Sequence, residues 1–207
     1  MARDGTATRA LLLVEAERQF AEVGVWQAAV GDIVRAAGQR NTSALTYHFG
    51  SRQGVLEAIL AEHGNPVDAH RGRLLANIDD GTGVHHVVSA LVRPMTALLA
   101  DDRGRRYVRI VAQLTDLFPT WQAAPAGVDQ THLGRALTAL EAGSAGGGPS
   151  IRNARLVAMI QLMTSSLAAR ATTLEGGPAP TLDDRAYEAN LTDMLVGVLT
   201  APGGMAA

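Results

Sequence analysis

Apolar residues recur every three or four positions along most of the chain, and glycines interrupt the pattern. Leu13, Ala16, Phe20 and Val23 form the first such stripe, which ends at Gly24. Residues three and four apart share one face of an α-helix, so this stripe predicts an amphipathic first helix of about 17 residues.

Two short helices and a longer one are predicted next. The second helix covers residues 30–37 and stops at Gly38, and the third carries Leu45 and Phe49 four positions apart. Ser51 is placed to cap a fourth helix, because a serine at this position accepts a hydrogen bond from the first helical turn. The glycine at 64 and the proline at 66 predict a kink or a break in that fourth helix.

The rest of the chain continues the helical pattern. Residues 66–80 are predicted to be helical and to extend the fourth helix. Further helices are predicted at residues 83–100, 104–118, 128–142, 150–174 and 182–200. Two stretches rich in glycine and proline, residues 143–150 and 175–180, predict loops. No alternating strand pattern competes, so the predicted fold class is all-α.

The composition supports a packed helical protein. Apolar residues make up 47% of the chain and aromatic residues only 4%, a balance that suits helices better than sheets. The absence of cysteine excludes disulfides, thiolate zinc sites and cysteine nucleophiles. The chain shows no secretory signal and no apolar run of roughly 20 residues, so we expect a cytoplasmic protein with no membrane partner.

Positive charge is concentrated around the predicted second and third helices. The net charge of the whole chain is only −2, yet Arg35, Arg40 and Arg52 lie in a segment that has no acidic residue between Asp32 and Glu57. Nucleic-acid binding cannot be argued from the total charge. The local excess of arginine makes this segment the candidate DNA-binding region.

Two short helices joined by a turn at Gly38, behind a longer leading helix, are typical of a helix-turn-helix that reads DNA. Leu45 and Phe49 anchor one face of the third helix, so its other face is free. That face and the preceding turn offer donors and acceptors for phosphates and base edges, namely Arg40, Asn41, Thr42, Ser43, Thr46, Tyr47 and His48.

At these positions the sequence resembles the tetracycline-repressor-like (TetR-type) family of bacterial transcriptional regulators. The resemblance covers roughly residues 8 to 62, and three features depart from the usual pattern: an apparent extra residue before Leu45, Thr46 in place of an aromatic residue, and Arg52 in place of lysine. The matching residues are Phe20, Gly24, Ile33, Ala37, Gly38, Leu45, Tyr47, His48, Phe49, Ser51 and Leu56.

The resemblance implies a homodimer that places the third helix of each subunit in successive major grooves of a near-palindromic operator, with half-sites about 34 Å apart. It implies phosphate contacts for Thr42, Tyr47, Ser51 and Arg52. Bases are expected nearest Arg40, Asn41, Ser43 and Ala44. His48 could contact either a phosphate or a base, and Thr46 lies on the same polar face of the third helix.

The family organisation implies two domains, a three-helix DNA-binding domain at residues 1–52 and a helical ligand-binding and dimerisation domain at 53–207. Apolar stripes in the last two helices predict a dimer interface between four helices, although an interior core of one chain is the alternative. The predicted interface residues are Leu162, Leu167, Tyr187, Leu191, Met194, Leu195 and Val198.

Between the DNA-binding domain and the last two helices, apolar residues are numerous enough to line a pocket for a small, mostly apolar ligand. The predicted ligand-binding residues are Met95, Tyr107, Arg109, Gln113, Phe118, Trp121 and Met163. The expected function is a repressor that such a ligand releases from DNA, without a cofactor or a metal. Two alternatives remain open: a constitutive DNA-binding dimer and an all-α enzyme. For an enzyme, the candidate metal-ligating pairs are Asp129 with His132 and, with no better support, His63 with His70.

Overall fold

A computed structural model describes residues 2–76, 83–115, 127–143 and 148–202, with side chains from residue 5 onward. In these ranges every regular element is helical, which confirms the all-α prediction. A short 3₁₀ helix, Ala97–Ala100, follows the fifth of the α-helices. The α-helices are α1 (Ala2–Glu22), α2 (Val30–Ala36), α3 (Ser43–Phe49), α4 (Arg52–Leu75), α5 (Val84–Thr96), α6 (Asp102–Leu114), α7 (Thr131–Gly143), α8 (Pro149–Leu174) and α9 (Asp184–Thr200).

The first three helices pack around a small apolar core. Phe20 of α1, Ile33 of α2 and Leu45 of α3 are almost fully buried there, and Val55 and Ile59 bring the start of α4 against them. Burial of each large apolar side chain contributes about 1.5–3 kcal/mol, so these contacts fix α3 relative to α1 and α4. Because α3 has only seven residues, tertiary packing rather than its own length keeps it helical.

The turn between α2 and α3 depends on a glycine. The N–H of Gly38 donates to the carbonyl of Arg35, and the N–H of Gln39 donates to the carbonyl of Val34, the bond pattern of a Schellman motif. Gly38 has φ of 70°, a left-handed conformation that costs other residues energy. The predicted helix end at Gly38 is confirmed.

The break predicted in the fourth helix is wrong, because α4 continues through Gly64 and Pro66 to Leu75. Pro66 itself is exposed, whereas Gly64 and Val67 on either side of it are buried. Gly64 packs so closely on Tyr107 that a Cβ at this position would lie 3.0 Å from the tyrosine hydroxyl. Asp68, one turn further on, is also buried.

The apolar core continues through the remaining helices, where α5 packs on α9 and α6 packs on α8. Helix α6 begins two residues before the predicted start, because the carboxylate of Asp101 accepts a 2.9 Å hydrogen bond from the N–H of Gly104. Residues 77–82 and 116–126 lie outside the described ranges, and with them the predicted ligand-binding residues Phe118 and Trp121. None of the helices in the described ranges could span a membrane.

Three of the predicted dimer-interface residues belong to this core. Leu167, Leu191 and Leu195 are essentially fully buried within this chain and offer no surface to a partner. An apolar stripe on a helix does not reveal whether it packs inside one chain or between two. Surface remains at four of the predicted residues: Met194, which is 40% exposed, and the half-buried Leu162, Tyr187 and Val198.

Candidate nucleic-acid interface

The outward side of α3 and the turn before it form a polar surface. Tyr47 is 84% exposed, and Thr42, Ser43 and Thr46 are exposed beside it. Within the described residues, none of these four side chains makes a hydrogen bond to the protein. We call the surface of Arg40–Ser43, Thr46 and Tyr47 the reading face, since its donors and acceptors are directed to solvent.

The opposite side of α3 is held by the core. Leu45 is 1% exposed, and Phe49 packs against the core while the guanidinium of Arg9 lies 4.8 Å from the centre of its ring. His48 and Ala44 are half-buried at the edge of the reading face, where the His48 ring contacts that of Tyr47 edge-on. The predicted separation of a buried and a polar side of α3 is therefore present.

Two predicted DNA-binding residues also accept local backbone hydrogen bonds: Ser51 as the N-cap of α4, and Asn41 in the turn that precedes α3. The side-chain oxygen of Asn41 accepts a 2.9 Å hydrogen bond from the N–H of Ser43, and the hydroxyl oxygen of Ser51 accepts one from the N–H of Gly54 at 3.0 Å. These bonds order the starts of α3 and α4. They leave the Asn41 amide hydrogens and the Ser51 hydroxyl hydrogen as donors for an external group.

The two arginines predicted to contact DNA point in different directions. Arg40 is exposed and has no ionic partner in the part of the chain that is described. Arg52 instead turns inward: its guanidinium lies 5.0 Å from the ring centre of Phe20, and its Nε–H donates to the carbonyl of Ala28 at 3.3 Å. Arg52 thus ties α4 to the connection between α1 and α2.

An ionic cluster around the buried Glu17 joins α1, α4 and α6, and we call it the seam. It consists of Glu17 on α1, Glu62 and His63 on α4, and Arg103 on α6. One Arg103 nitrogen lies 2.7 Å from both Glu17 and Glu62, and His63 Nε2 lies 3.0 Å from Glu17. Glu17 is 0% exposed. Burial would raise its pKa, but the hydrogen bonds from His63 and Arg103 outweigh burial and lower the pKa below its ordinary value.

Sequence reasoning missed the seam. Glu17 falls one position after Ala16 and three before Phe20, so it lies on the apolar stripe of the first helix. A charged residue on such a stripe signals a buried partner, but nothing in the sequence identifies Arg103, 86 positions further on. The predicted ligand residue Tyr107 packs beside the seam, where its ring stacks on His63 at 5.0 Å and burial raises its pKa to about 12.

A second polar link holds the end of α1. The side-chain amide of Gln113 donates a 3.0 Å hydrogen bond to the carbonyl of Phe20, and its oxygen accepts one of 2.7 Å from the N–H of Val25. Gln113 and Arg109 line a cavity of about 410 Å³ between α1, α6 and α8. Two predicted ligand-binding residues are therefore brought together, whereas Met95, Tyr107 and Met163 are buried and are not among the residues that line this cavity.

The candidate metal-ligating pair Asp129 and His132 has structural partners. The carboxylate of Asp129 accepts a 3.0 Å hydrogen bond from the N–H of Thr131, and the N–H of His132 donates to Asp68 at 2.9 Å. These bonds cap the start of α7. No group of three or more metal-ligating side chains occurs in the described residues.

Solved structures share this arrangement. NalD from Pseudomonas aeruginosa, described as the secondary repressor of the MexAB-OprM multidrug efflux pump, is 18% identical with a TM-score of 0.57, over 96% of this chain and 98% of its own. A Rhodococcus sp. protein assigned to the TetR family of transcriptional regulators is 16% identical with a TM-score of 0.50, over 94% of this chain and 100% of its own.

No protein-family model matches the sequence, and no curated protein matches it. Within the described residues, α2 and α3 and the tight turn at Gly38 form a helix-turn-helix arrangement. The chain has the fold of TetR-family transcriptional regulators, as the resemblance of its first 62 residues implied.

Proposed function

We propose that this protein is a homodimeric, sequence-specific DNA-binding regulator of transcription. The observation that carries the proposal is the reading face: an exposed polar surface of α3 and the turn before it, in which the side chains of Thr42, Ser43, Thr46 and Tyr47 make no hydrogen bond within the described residues. The other side of the helix is anchored by Leu45. Polar side chains left unpaired at a rigid surface are the groups that can bind an external partner. Residues 1–52 would form the DNA-binding domain and 53–207 the domain for dimerisation and ligand binding.

The exposed side chains divide by chemistry into two roles. Tyr47, Thr42 and Ser51 carry hydroxyls suited to phosphate oxygens, which position a protein on any duplex. Arg40 carries a guanidinium that can bind guanine through two hydrogen bonds, while Asn41 and Ser43 offer weaker base contacts. Arg52 contributes to this interface by fixing α4 against α1 rather than by reaching a phosphate.

Dimerisation would use the outer sides of α8 and α9. Leu162, Met194 and Val198 keep surface there after the chain has folded, and Tyr187 lies on the same last helix. Two copies of these helices would bury that surface in a four-helix interface with two-fold symmetry. Such a dimer presents two α3 helices to one side of a duplex, as a near-palindromic operator requires.

Repression relieved by a small molecule is the mode of regulation we propose. NalD, a neighbour in fold, is described as a repressor. A ligand lowers DNA affinity only if it binds better to a conformation that fits the operator poorly. A cavity between α1, α6 and α8 lies next to the end of α1 and is a suitable place for such a ligand.

The test is selection of duplexes from a random pool by the purified protein, followed by affinity measurements on the selected operator and its single-base variants. Arg40→Ala should lose discrimination at one base position by about 1–3 kcal/mol, whereas Tyr47→Phe should weaken all duplexes by the same factor. Arg135→Ala, an exposed arginine on α7, is the matched control and should change neither. Enrichment of no sequence, or equal losses on every duplex for both variants, would contradict the proposal.

A further inference from the structure

The cavity between α1, α6 and α8 has a defined chemistry. Its walls are mostly methyl-sized, and its polar groups come from a few longer side chains. We call it the α1–α6–α8 groove. The residues that matter for what it can bind are Ala21, Ala112, Ser165, Ala169, Arg109 and Gln113. The groove has a volume of about 410 Å³ and is largely open to solvent, where Ser165 and Ala169 are exposed.

Arg109 already binds a carboxylate in this structure. Its Nη1–H donates to Glu175 at 2.6 Å, and both side chains are about three-quarters buried. Glu175 follows the last residue of α8 as its C-cap, so its side chain can rotate to solvent without disturbing the helix. A guanidinium has five N–H donors in a planar fork that matches carboxylate geometry, so an external carboxylate can take the place of Glu175.

We propose that the α1–α6–α8 groove binds a small aromatic carboxylate, whose anionic group pairs with Arg109 and whose ring lies between the small side chains of α6 and α8. Small walls suit a flat ring, since the ring can contact methyl groups on both sides. Arg109 is the arginine among the residues that line the groove, and Arg105 Nε lies 3.8 Å from the other carboxylate oxygen of Glu175. Guanidinium groups in this arrangement pair with a carboxylate, so an anionic ring compound fits the groove.

Occupancy of the groove would reach the DNA-binding helices through Gln113. This side chain lines the groove, and its two hydrogen bonds to Phe20 and Val25 hold the end of α1. A ligand that competes for the Gln113 amide weakens those bonds and changes how α1 is held against α6. This regulatory part rests on the proposed function, whereas the binding itself does not.

Calorimetric titration of the full chain with 1-naphthoate, and with neutral 1-naphthamide as the comparison, tests the binding. We expect naphthoate to bind and the amide to bind at least about tenfold more weakly, because it lacks the charge that pairs with Arg109. Arg109→Gln should weaken naphthoate binding by a similar factor, and Arg135→Gln should leave it unchanged. No heat with millimolar naphthoate, or equal affinity for acid and amide, would overturn the proposal.

Two further variants test the binding site independently, in case Arg109→Gln unfolds the chain. Glu175→Gln removes the competing carboxylate, so naphthoate should bind several-fold more tightly. Ser165→Leu fills the groove while leaving the Arg109–Glu175 pair intact, so binding should be lost although thermal unfolding shows a folded protein. Weaker binding to Glu175→Gln, or unchanged binding to Ser165→Leu, would contradict the assignment of the site.

Operator affinity measured with and without naphthoate tests the regulatory part. We expect the ligand to weaken DNA binding by the wild type and to have no effect on Ser165→Leu. Calorimetric binding without any change in operator affinity would overturn the link to α1. A protein that binds naphthoate but no duplex DNA would contradict the proposed function and leave the groove as a ligand site.

Discussion

The reading face and the seam use polar residues in opposite ways. On the reading face, Arg40 and Tyr47 are exposed and their polar groups have no partners in the described part of the chain. In the seam, Glu17 is completely buried and both its oxygens accept hydrogen bonds from side chains of other helices. The reading face therefore has donors and acceptors that can bind another molecule, whereas the polar groups of Glu17 in the seam already bind other helices of this chain.

This difference separates residues that act on a partner from residues that set the geometry. A buried charge left without its partner is strongly unfavourable, whereas an exposed polar group is already satisfied by water. Substitutions in the seam should therefore change stability first, and substitutions on the reading face should change DNA binding alone. The expected effects below run from the largest to the smallest.

Arg103→Ala should give the largest loss of stability. It leaves the carboxylate of Glu17 buried with only His63 beside it and also releases Glu62, so we expect a loss of about 3 kcal/mol in the free energy of unfolding. Urea unfolding followed by circular dichroism measures this. Arg40→Ala is the matched change on the reading face and should cost less than about 0.5 kcal/mol. Equal losses in the two variants would remove the distinction between the regions.

The sequence indicates the reading face better than the seam for a physical reason. The buried and exposed sides of α3 follow from local spacing, because Leu45 and Phe49 are four positions apart. Gly38 indicates the position of the turn between α2 and α3. The seam depends on a pairing between residues 17 and 103, which no local pattern encodes. The same limit applies to α4, where the close packing of Gly64 on Tyr107 cannot be read from local spacing, and to Leu195, which is buried inside this chain.

Gln113→Ala should have the next largest effect. It removes two hydrogen bonds at the end of α1 and leaves the N–H of the fully buried Val25 without its acceptor, which costs about 1–2 kcal/mol. Urea unfolding measures the loss. Gln113→Glu keeps an acceptor for Val25 but loses the donor to Phe20, so its stability should fall between that of the wild type and that of the alanine variant. A glutamate variant no better than alanine would mean that these bonds do not hold α1.

Tyr47→Phe should lower the affinity for DNA without changing the free energy of unfolding. The hydroxyl has no hydrogen-bond partner among the described residues, so the free energy of unfolding should stay within about 0.5 kcal/mol of the wild type. Loss of one hydrogen bond to DNA should lower operator affinity about fivefold, which corresponds to about 1 kcal/mol. Fluorescence anisotropy and urea unfolding of the same preparation compare the two effects. A loss of stability without a loss of affinity would place Tyr47 with the structural residues.

Lowering the pH should reduce the contribution of the Glu17 carboxylate to the free energy of unfolding, and this is the smallest of the expected effects. The pKa of Glu17 is lowered in the folded protein from an ordinary value of 4.5, because the hydrogen bonds from His63 and Arg103 outweigh its burial. The unfolded chain therefore binds this proton more readily, so the stabilisation is complete above about pH 4.5 and is lost as the pH falls through the folded-state pKa. The stability difference between the wild type and Glu17→Gln should accordingly narrow below that pH, when urea unfolding is compared at pH 7 and at pH 4 or lower. A difference that stays constant or widens in acid would show that the Glu17 carboxylate is not stabilised in its charged form, and the seam would then be an apolar contact rather than an ionic one.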